Sequence, residues 1–242
     1  MRVEVREWDD SELSRQFVVA LVEDVVQVWY AVVPKKQAAL AAMAKTLSAD
    51  EHERANRFGV AEARARFVFA RAMLRQLVAA FLRTEPEAVS FGYATRGKPF
   101  LDGSDAPSDL RFNVSHSGEL VAVALARGRE VGVDIEQIDR VTDWSLVGER
   151  VLSERESDDV ARMPEAEQGE AFLTLWACKE AYLKATGEGL NDELAAVEFA
   201  FARGEEPQLI SLPGGANVED WTIKTLPLPG RFIGALAFQG GA

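Results

Sequence analysis

Cysteine is almost absent: Cys178 is the single one in 242 residues. No disulfide can form within the chain, and a lone thiol fits a reducing cytoplasm. Histidine is nearly as scarce, so His116 is one of only two candidates for imidazole chemistry. No apolar run approaches the roughly 18–20 residues of a membrane span. The opening stretch "MRVEVREWDDSELSRQF" alternates charged and apolar residues. It lacks the uninterrupted apolar core of a signal peptide, and the expectation is a soluble, cytoplasmic protein with no membrane partner. Basic residues are outnumbered, 27 to 39, for a net charge of −12. General binding to nucleic acid is therefore not expected, because phosphates reward basic surfaces. The same charge makes an acidic protein partner awkward unless positive charge is concentrated locally.

What is present is ordinary for a globular chain, 48% hydrophobic and 27% charged. The length suits one large domain or two small ones and needs no covalent staple. Residues 1–24 read as an extension of uncertain structure. "VVQVWYAVV", Val25 to Val33, is rich in strand formers. Ser48 followed by Glu51 matches a capping box and predicts a helix start. A longer helix follows from Ala61 to about Leu82, with Phe67, Ala70, Leu74, Leu77 and Phe81 on its core face. "LDGSDAPSDL", Leu101 to Leu110, is the best internal boundary. Beyond it, "LVAVALARGREVGVDIEQI" predicts two strands joined near Gly128. Leu146 to Ala171 reads as charged helix, and "EAFLTLWACKEAYLKATGEGL" as a helix ending near Gly187. "WTIKTL" and "FIGALAF" close the chain as strands around "PLPG". The expectation is an α+β chain of two related lobes, each a small antiparallel sheet packed with helices.

Four stretches could carry chemistry. In "REVGVDIEQI" the residues Gly132, Asp134 and Glu136 share one strand face, with the carboxylates about 7 Å apart. Such a face is either washed by solvent or a cation site, and the bare glycine lets something approach closely. In the late helix, Trp176, Glu180 and Lys184 stack at i, i+4 and i+8. A surface Glu180–Lys184 ion pair is the bland alternative. Lys179 falls on the face of Phe172, Trp176 and Leu183, where a solvated lysine is out of place. "FNVSHSG", Phe112 to Gly118, reads as a strand ending in a serine-rich turn. There Ser115 and His116 either hold a phosphate or cap a helix. Finally, Arg64, Arg71 and Arg75 form one stripe of the long helix, Arg66 lies beside the core face, and Lys98 sits in the stiff loop "RGKPF".

"FNVSHSG", "GVDIE" and "WACKEAYLKATGEGL", in this order, resemble the 4′-phosphopantetheinyl transferases. The length is similar to the larger, single-chain type whose prototype activates surfactin synthetase. The likeness runs from about Val25 to the C-terminus. It implies two pseudo-symmetric lobes, residues 25–110 and 111–242, with the active site in the cleft between them, the metal site in the second lobe and residues 1–24 as an N-terminal extension. It implies a monomer that is itself a pseudo-dimer. The implied reaction moves the 4′-phosphopantetheine arm of coenzyme A to a serine of an apo acyl or peptidyl carrier protein, leaving 3′,5′-ADP. Asp134, Glu136 and Glu180 match the family's ligands for Mg²⁺, with Mn²⁺ as the alternative, and Glu180 is also the candidate base. Lys184 matches the lysine on the transferring phosphate, and His116 and Ser115 match pyrophosphate contacts. Lys98, Arg66 and Arg54 match basic residues gripping the nucleotide, whereas Glu51 stands where relatives often carry a basic residue.

The Arg64, Arg71 and Arg75 stripe is then expected to meet the acidic carrier, and Lys179 to make a contact at the lobe interface. A metal-dependent pyrophosphate hydrolase and a non-catalytic binding module are the rival classes. The first would use the same residues, and the second is disfavoured because Asp134, Glu136, Glu180 and Lys184 are all present.

Overall fold

The computed structural model describes residues 1–9, 24–103, 109–140, 144–187 and 194–240. Most of the N-terminal extension (10–23), the middle of the boundary segment (104–108) and the end of the "GEGL" stretch (188–190) lie outside the described residues.

The chain runs β1 (Arg2–Glu7), β2 (Val25–Val32), α1 (Gln37–Ala44), α2 (Ala49–Asn56) and α3 (Ala61–Leu82). A short hairpin follows, β3 (Phe91–Tyr93) and β4 (Pro99–Leu101), then β5 (Leu110–Ser117), β6 (Leu120–Arg127) and β7 (Val131–Gln137). The remainder is α4 (Ser145–Val151), α5 (Glu154–Ala161), α6 (Glu165–Thr186), the pair β8 (Glu198–Ala200) and β9 (Gln208–Ser211), and finally β10 (Trp221–Thr225) and β11 (Phe232–Gln239).

Two sheets organise these elements, one in the order β1-β2-β6-β5 and one in the order β10-β11-β7. Every pairing is antiparallel except that of β1 with β2, so the segment without a sequence assignment supplies a parallel edge strand. The first sheet does not divide where the sequence does, because β5 and β6 follow the boundary segment yet pair with β2.

Strand β6 is apolar at nearly every position because both of its faces are covered. Leu120, Ala122, Ala124 and Ala126 join Val131, Val133, Ile135, Leu236 and Phe238 in a core between the sheets. The alternate residues Val121, Val123 and Leu125 join Phe69, Met73 and Leu77 of α3 in the first lobe's core. The third core belongs to the second lobe and gathers α6 with β11. Strand β7 therefore turns Val131, Val133 and Ile135 toward the other sheet and Gly132, Asp134 and Glu136 toward α6.

Two expectations change. The charged segment Leu146–Ala171 is not one helix: Ser153 opens α5 with its own capping box, and Pro164 precedes α6. The arginine stripe of α3 is not a docking surface. Arg75 is 2% and Arg71 8% exposed, and Glu51, 1% exposed, accepts from Arg75 Nε at 2.7 Å. Arg75 also donates to the Pro86 and Val89 carbonyls. Only Arg64 faces outward, and it donates to Asn56. Glu51 is simultaneously the capping-box acceptor for Ser48 N–H, so a buried charge cluster ties α2 to α3.

Candidate active site

The site begins with the fit of α6 on β7. A Cβ at Gly132 would lie 2.0 Å from the Ala181 carbonyl oxygen and 2.4 Å from Ala185 N. The close approach that this glycine permits is therefore that of a helix backbone. Helix α6 lies across the carboxylate face of β7 and brings Trp176, Glu180 and Lys184, one turn apart, over Asp134 and Glu136.

Together with Ser115 and His116 of β5, these five side chains line one cavity of about 300 Å³. Lys184 Nζ donates to Asp134 Oδ1 at 2.5 Å and to Ser115 Oγ at 3.0 Å. It is paired with Asp134, and the surface Glu180–Lys184 bridge is not the arrangement adopted. Ser115 Oγ donates to Asp134 Oδ1 at 2.9 Å and accepts from Ile135 N–H at 3.3 Å. Its single proton is thus committed to Asp134, leaving none for a phosphate. Ser117 donates to Glu136 Oε2 at 2.9 Å. The Trp176 indole also stands close enough to favour the charged form of Glu136, a role that its place on an apolar stripe conceals.

Crowded carboxylates resist ionisation. Burial, and then the charge of Asp134, push the Glu180 carboxyl up to about 7, against the pull of Lys184. The same two causes raise Glu136, opposed by the bond from Ser117, by Lys184 and by the Trp176 indole. At the cavity mouth the His116 ring meets solvent on one side. Its enclosure on the other, followed by the cations Arg66 and Lys184, holds its imidazole below the usual value.

A carboxyl whose pKa rises on folding binds its proton more tightly in the native state, so the native state loses stability as pH climbs from the unfolded value toward the folded one. For Glu180 that window runs from the usual 4.5 to about 7. Removing this charge should stabilise the metal-free protein above the window. Glu180→Gln in EDTA is expected to melt higher than wild type at pH 8, by at least the roughly 2–4 °C that corresponds to 1 kcal/mol, and to match it near pH 4.5. Equal melting temperatures at pH 8 would contradict the assigned environment.

The remaining expected residues stand apart from the cavity. Arg66 donates to the Gly118 carbonyl at 2.9 Å and lines a larger neighbouring groove of about 1090 Å³. That groove runs along α1 and α3 and reaches Gly118 and Gln137. Exposed Arg54 lies over the Phe67 ring. Lys98 donates to the Ala185 carbonyl at 2.8 Å, with Glu130 at 3.5 Å, and so fastens the C-terminal end of α6. Lys179 is not at the lobe interface. It is wholly buried in the second lobe, 2.7 Å from Glu156.

The donor set suits a hard cation. Asp134 Oδ2 and Glu180 Oε1 are buried in this region without a hydrogen-bond partner. Among the described residues no three His, Cys, Asp or Glu side chains are arranged to hold a metal ion by themselves. Mg²⁺ does not demand one, since it keeps waters and takes one or two carboxylates together with substrate phosphates.

A small polar cavity of carboxylates, a lysine and an imidazole defines a class of enzyme acting on phosphorylated substrates. Comparison with known proteins narrows the class. A family profile described as the 4′-phosphopantetheinyl transferase superfamily matches residues 130–237, and one described as 4′-phosphopantetheinyl transferase, N-terminal, matches residues 32–127. The chain is 35% identical over 222 residues to the 4′-phosphopantetheinyl transferase HetI of Nostoc sp., covering 92% of this chain and 91% of that one. It is 30% identical over 149 residues to a 4′-phosphopantetheinyl transferase of Bacillus subtilis, covering 62% of this chain and 64% of the relative. The holo-[acyl-carrier-protein] synthase structure from Thermotoga maritima aligns with 47% of this chain and 64% of its own, at a TM-score of 0.37 and 26% identity.

The chain belongs to the 4′-phosphopantetheinyl transferase family. It transfers 4′-phosphopantetheine from coenzyme A to a carrier protein. Among the described residues no helix is long and apolar enough to cross a membrane.

Proposed function

We propose that Asp134, Glu136 and Glu180 hold a divalent cation, Mg²⁺ or Mn²⁺, against the pyrophosphate of coenzyme A, and that an apo acyl or peptidyl carrier protein presents its serine to this cavity. One observation carries the reading: two strands of different sheets and a helix far apart in sequence bring all three carboxylates, Lys184 and His116 to one cavity. The ion, when bound, would offset phosphate charge.

The chain's own groups divide the other tasks. The Lys184 ammonium spends two of its three N–H donors on Asp134 and Ser115, and the third is left for the transferring phosphate. Glu180, which lines the cavity that the serine would enter, is the candidate to take its proton, directly or through a water. The serine oxygen then bonds to the β-phosphorus, the bond from that phosphorus to the bridging oxygen breaks, and 3′,5′-ADP leaves with the bridging oxygen. His116 in the cavity and Arg66 in the neighbouring groove would hold phosphate oxygens. Arg54 is free to meet the nucleotide end, while Lys98 sets the end of α6. Buried Glu51 takes no part in phosphate recognition.

Intact-mass spectrometry of apo acyl and peptidyl carrier proteins, incubated with coenzyme A and Mg²⁺, tests the reading. Each accepted carrier should gain one phosphopantetheine. Asp134→Ala should lower the rate at least about 100-fold, since even outer partners of a metal site change activity 10–100-fold. Coenzyme A and Mg²⁺ without carrier should yield little 3′,5′-ADP. Release at an undiminished rate would identify a hydrolase instead.

A further inference from the structure

Strands β5 and β7 come from different sheets, yet they run side by side without pairing through their backbones. Side chains take the place of the missing rungs. Asn113 Oδ1 accepts from Val133 N–H at 3.0 Å, Ser115 Oγ from Ile135 N–H at 3.3 Å, and Ser117 Oγ from Gln137 N–H at 3.1 Å. The acceptors alternate along β5 and the donors along β7, so the two strands keep step over five residues. A longer rung of this kind leaves a wider gap between strands than a backbone pair does.

Ser117 occupies the last rung and does two things with one hydroxyl. Its oxygen is held by Gln137 N–H, and its only proton points to Glu136 Oε2 at 2.9 Å. The direction follows from chemistry: an amide N–H can only donate and an ionised carboxylate can only accept. Ser117 is 4% exposed, so no water competes for the proton. The contact ties the Glu136 side chain to the backbone of its own strand, one residue on. Ser117 thus holds Glu136 from β5. A carboxylate offers about four lone-pair sites, so this one donor leaves acceptors for the cavity.

We propose that Ser117 is a positioning residue that holds Glu136 in the orientation needed to share the divalent cation. The proposal rests on the cation reading above. It concerns a hydroxyl that does not line the cavity and touches no reacting atom. Ser115 performs the matching task for Asp134, but it also receives Lys184, so Ser117 is where the positioning of a carboxylate can be isolated.

Direct Mn²⁺ binding to the full chain in the presence of coenzyme A, followed by electron paramagnetic resonance, provides a readout separate from turnover. Ser117→Ala should weaken Mn²⁺ about 10-fold, the scale of lost outer partners of a metal site, and Ser117→Thr should restore it to within about threefold. Melting temperature in EDTA, measured on the same variants, isolates the structural share of the rung. A purely structural rung predicts a lower melting temperature with unchanged Mn²⁺ affinity, and that result would overturn the proposal. So would a Ser117→Thr variant as weak as Ser117→Ala. Should Ser117→Ala fail to fold, Ser117→Cys keeps the volume and a weak donor. It is expected to bind Mn²⁺ several-fold less tightly than wild type, and equal affinity would overturn the proposal equally. Wild-type protein that binds no Mn²⁺ would remove the cation reading itself, which distinguishes the two failures.

Discussion

Gly132→Ala should cost about 3 kcal/mol or more, at the upper end for a forced methyl, and lower the melting temperature by roughly 6–12 °C. The added carbon would sit 2.0 Å from the Ala181 oxygen, 2.4 Å from Ala185 N and 3.0 Å from Ala185 Cα. All three atoms are helix backbone, so no rotamer change relieves the overlap, and α6 must lift from β7. Ala181 and Ala185 are one turn apart, and their small side chains allow the helix to settle on this glycine. Lifting α6 also carries Glu180 and Lys184 away from Asp134 and Glu136, so transfer should fall more steeply than stability at temperatures where the variant remains folded. Differential scanning calorimetry checks the first part and carrier modification at 20 °C the second. A melting temperature within 2 °C of wild type would mean that the helix does not rest on Gly132.

Lys179→Met is expected to be about as damaging, costing roughly 3–5 kcal/mol, because it leaves an uncompensated charge in a dry interior. Lys179 and Glu156 are both 0% exposed and 2.7 Å apart. The ammonium's other two donors go to the Leu194 and Val197 carbonyls. The carboxylate accepts from Phe199 N–H at 2.9 Å and Ser153 N–H at 2.8 Å. One ion pair thus ties α5, α6 and the approach to β8. Removing both charges in Lys179→Met with Glu156→Gln should recover a good part of the loss, since replacing both members of a buried pair costs far less than breaking it. Urea unfolding of the two single variants and the double variant measures the coupling. Additive losses would show that the pair does not act as a unit.

Much of this was readable from residues near one another in sequence. Helix α3 announces itself by its apolar steps, α6 by its length and Gly187, and β7 by strict alternation. Asp134, Glu136, Glu180, Lys184 and His116, which meet in one cavity, lie on α6, β7 and β5, elements that the sequence already outlines. What stayed hidden depends on partners far along the chain. Arg75 looks like a surface residue until Glu51, which serves α2 as a cap, is found to neutralise it in the core. Lys179 is similar, its partner lying in a separate helix. The break within Leu146–Ala171 was signalled by Ser153 with Glu156 and by Pro164, but a run of charge masks such punctuation. β1 joins β2 as a parallel edge, a pairing that alternation alone cannot announce. Trp176 reads as packing in any helical projection, and only the meeting of α6 with β7 reveals that its indole serves a carboxylate.

The route of β5 and β6 has a consequence for how such a molecule can arise or be taken apart. A fragment stopping at Leu110 would keep β1 and β2 but lose β6, the neighbour that shields them, while the remainder would hold a hairpin whose outer edge has nothing to cover it. The first sheet borrows two of its four strands from the later stretch of chain, so the residues before the boundary are not an independent module to be shuffled. The sheet that spans the boundary is expected to unfold as one piece.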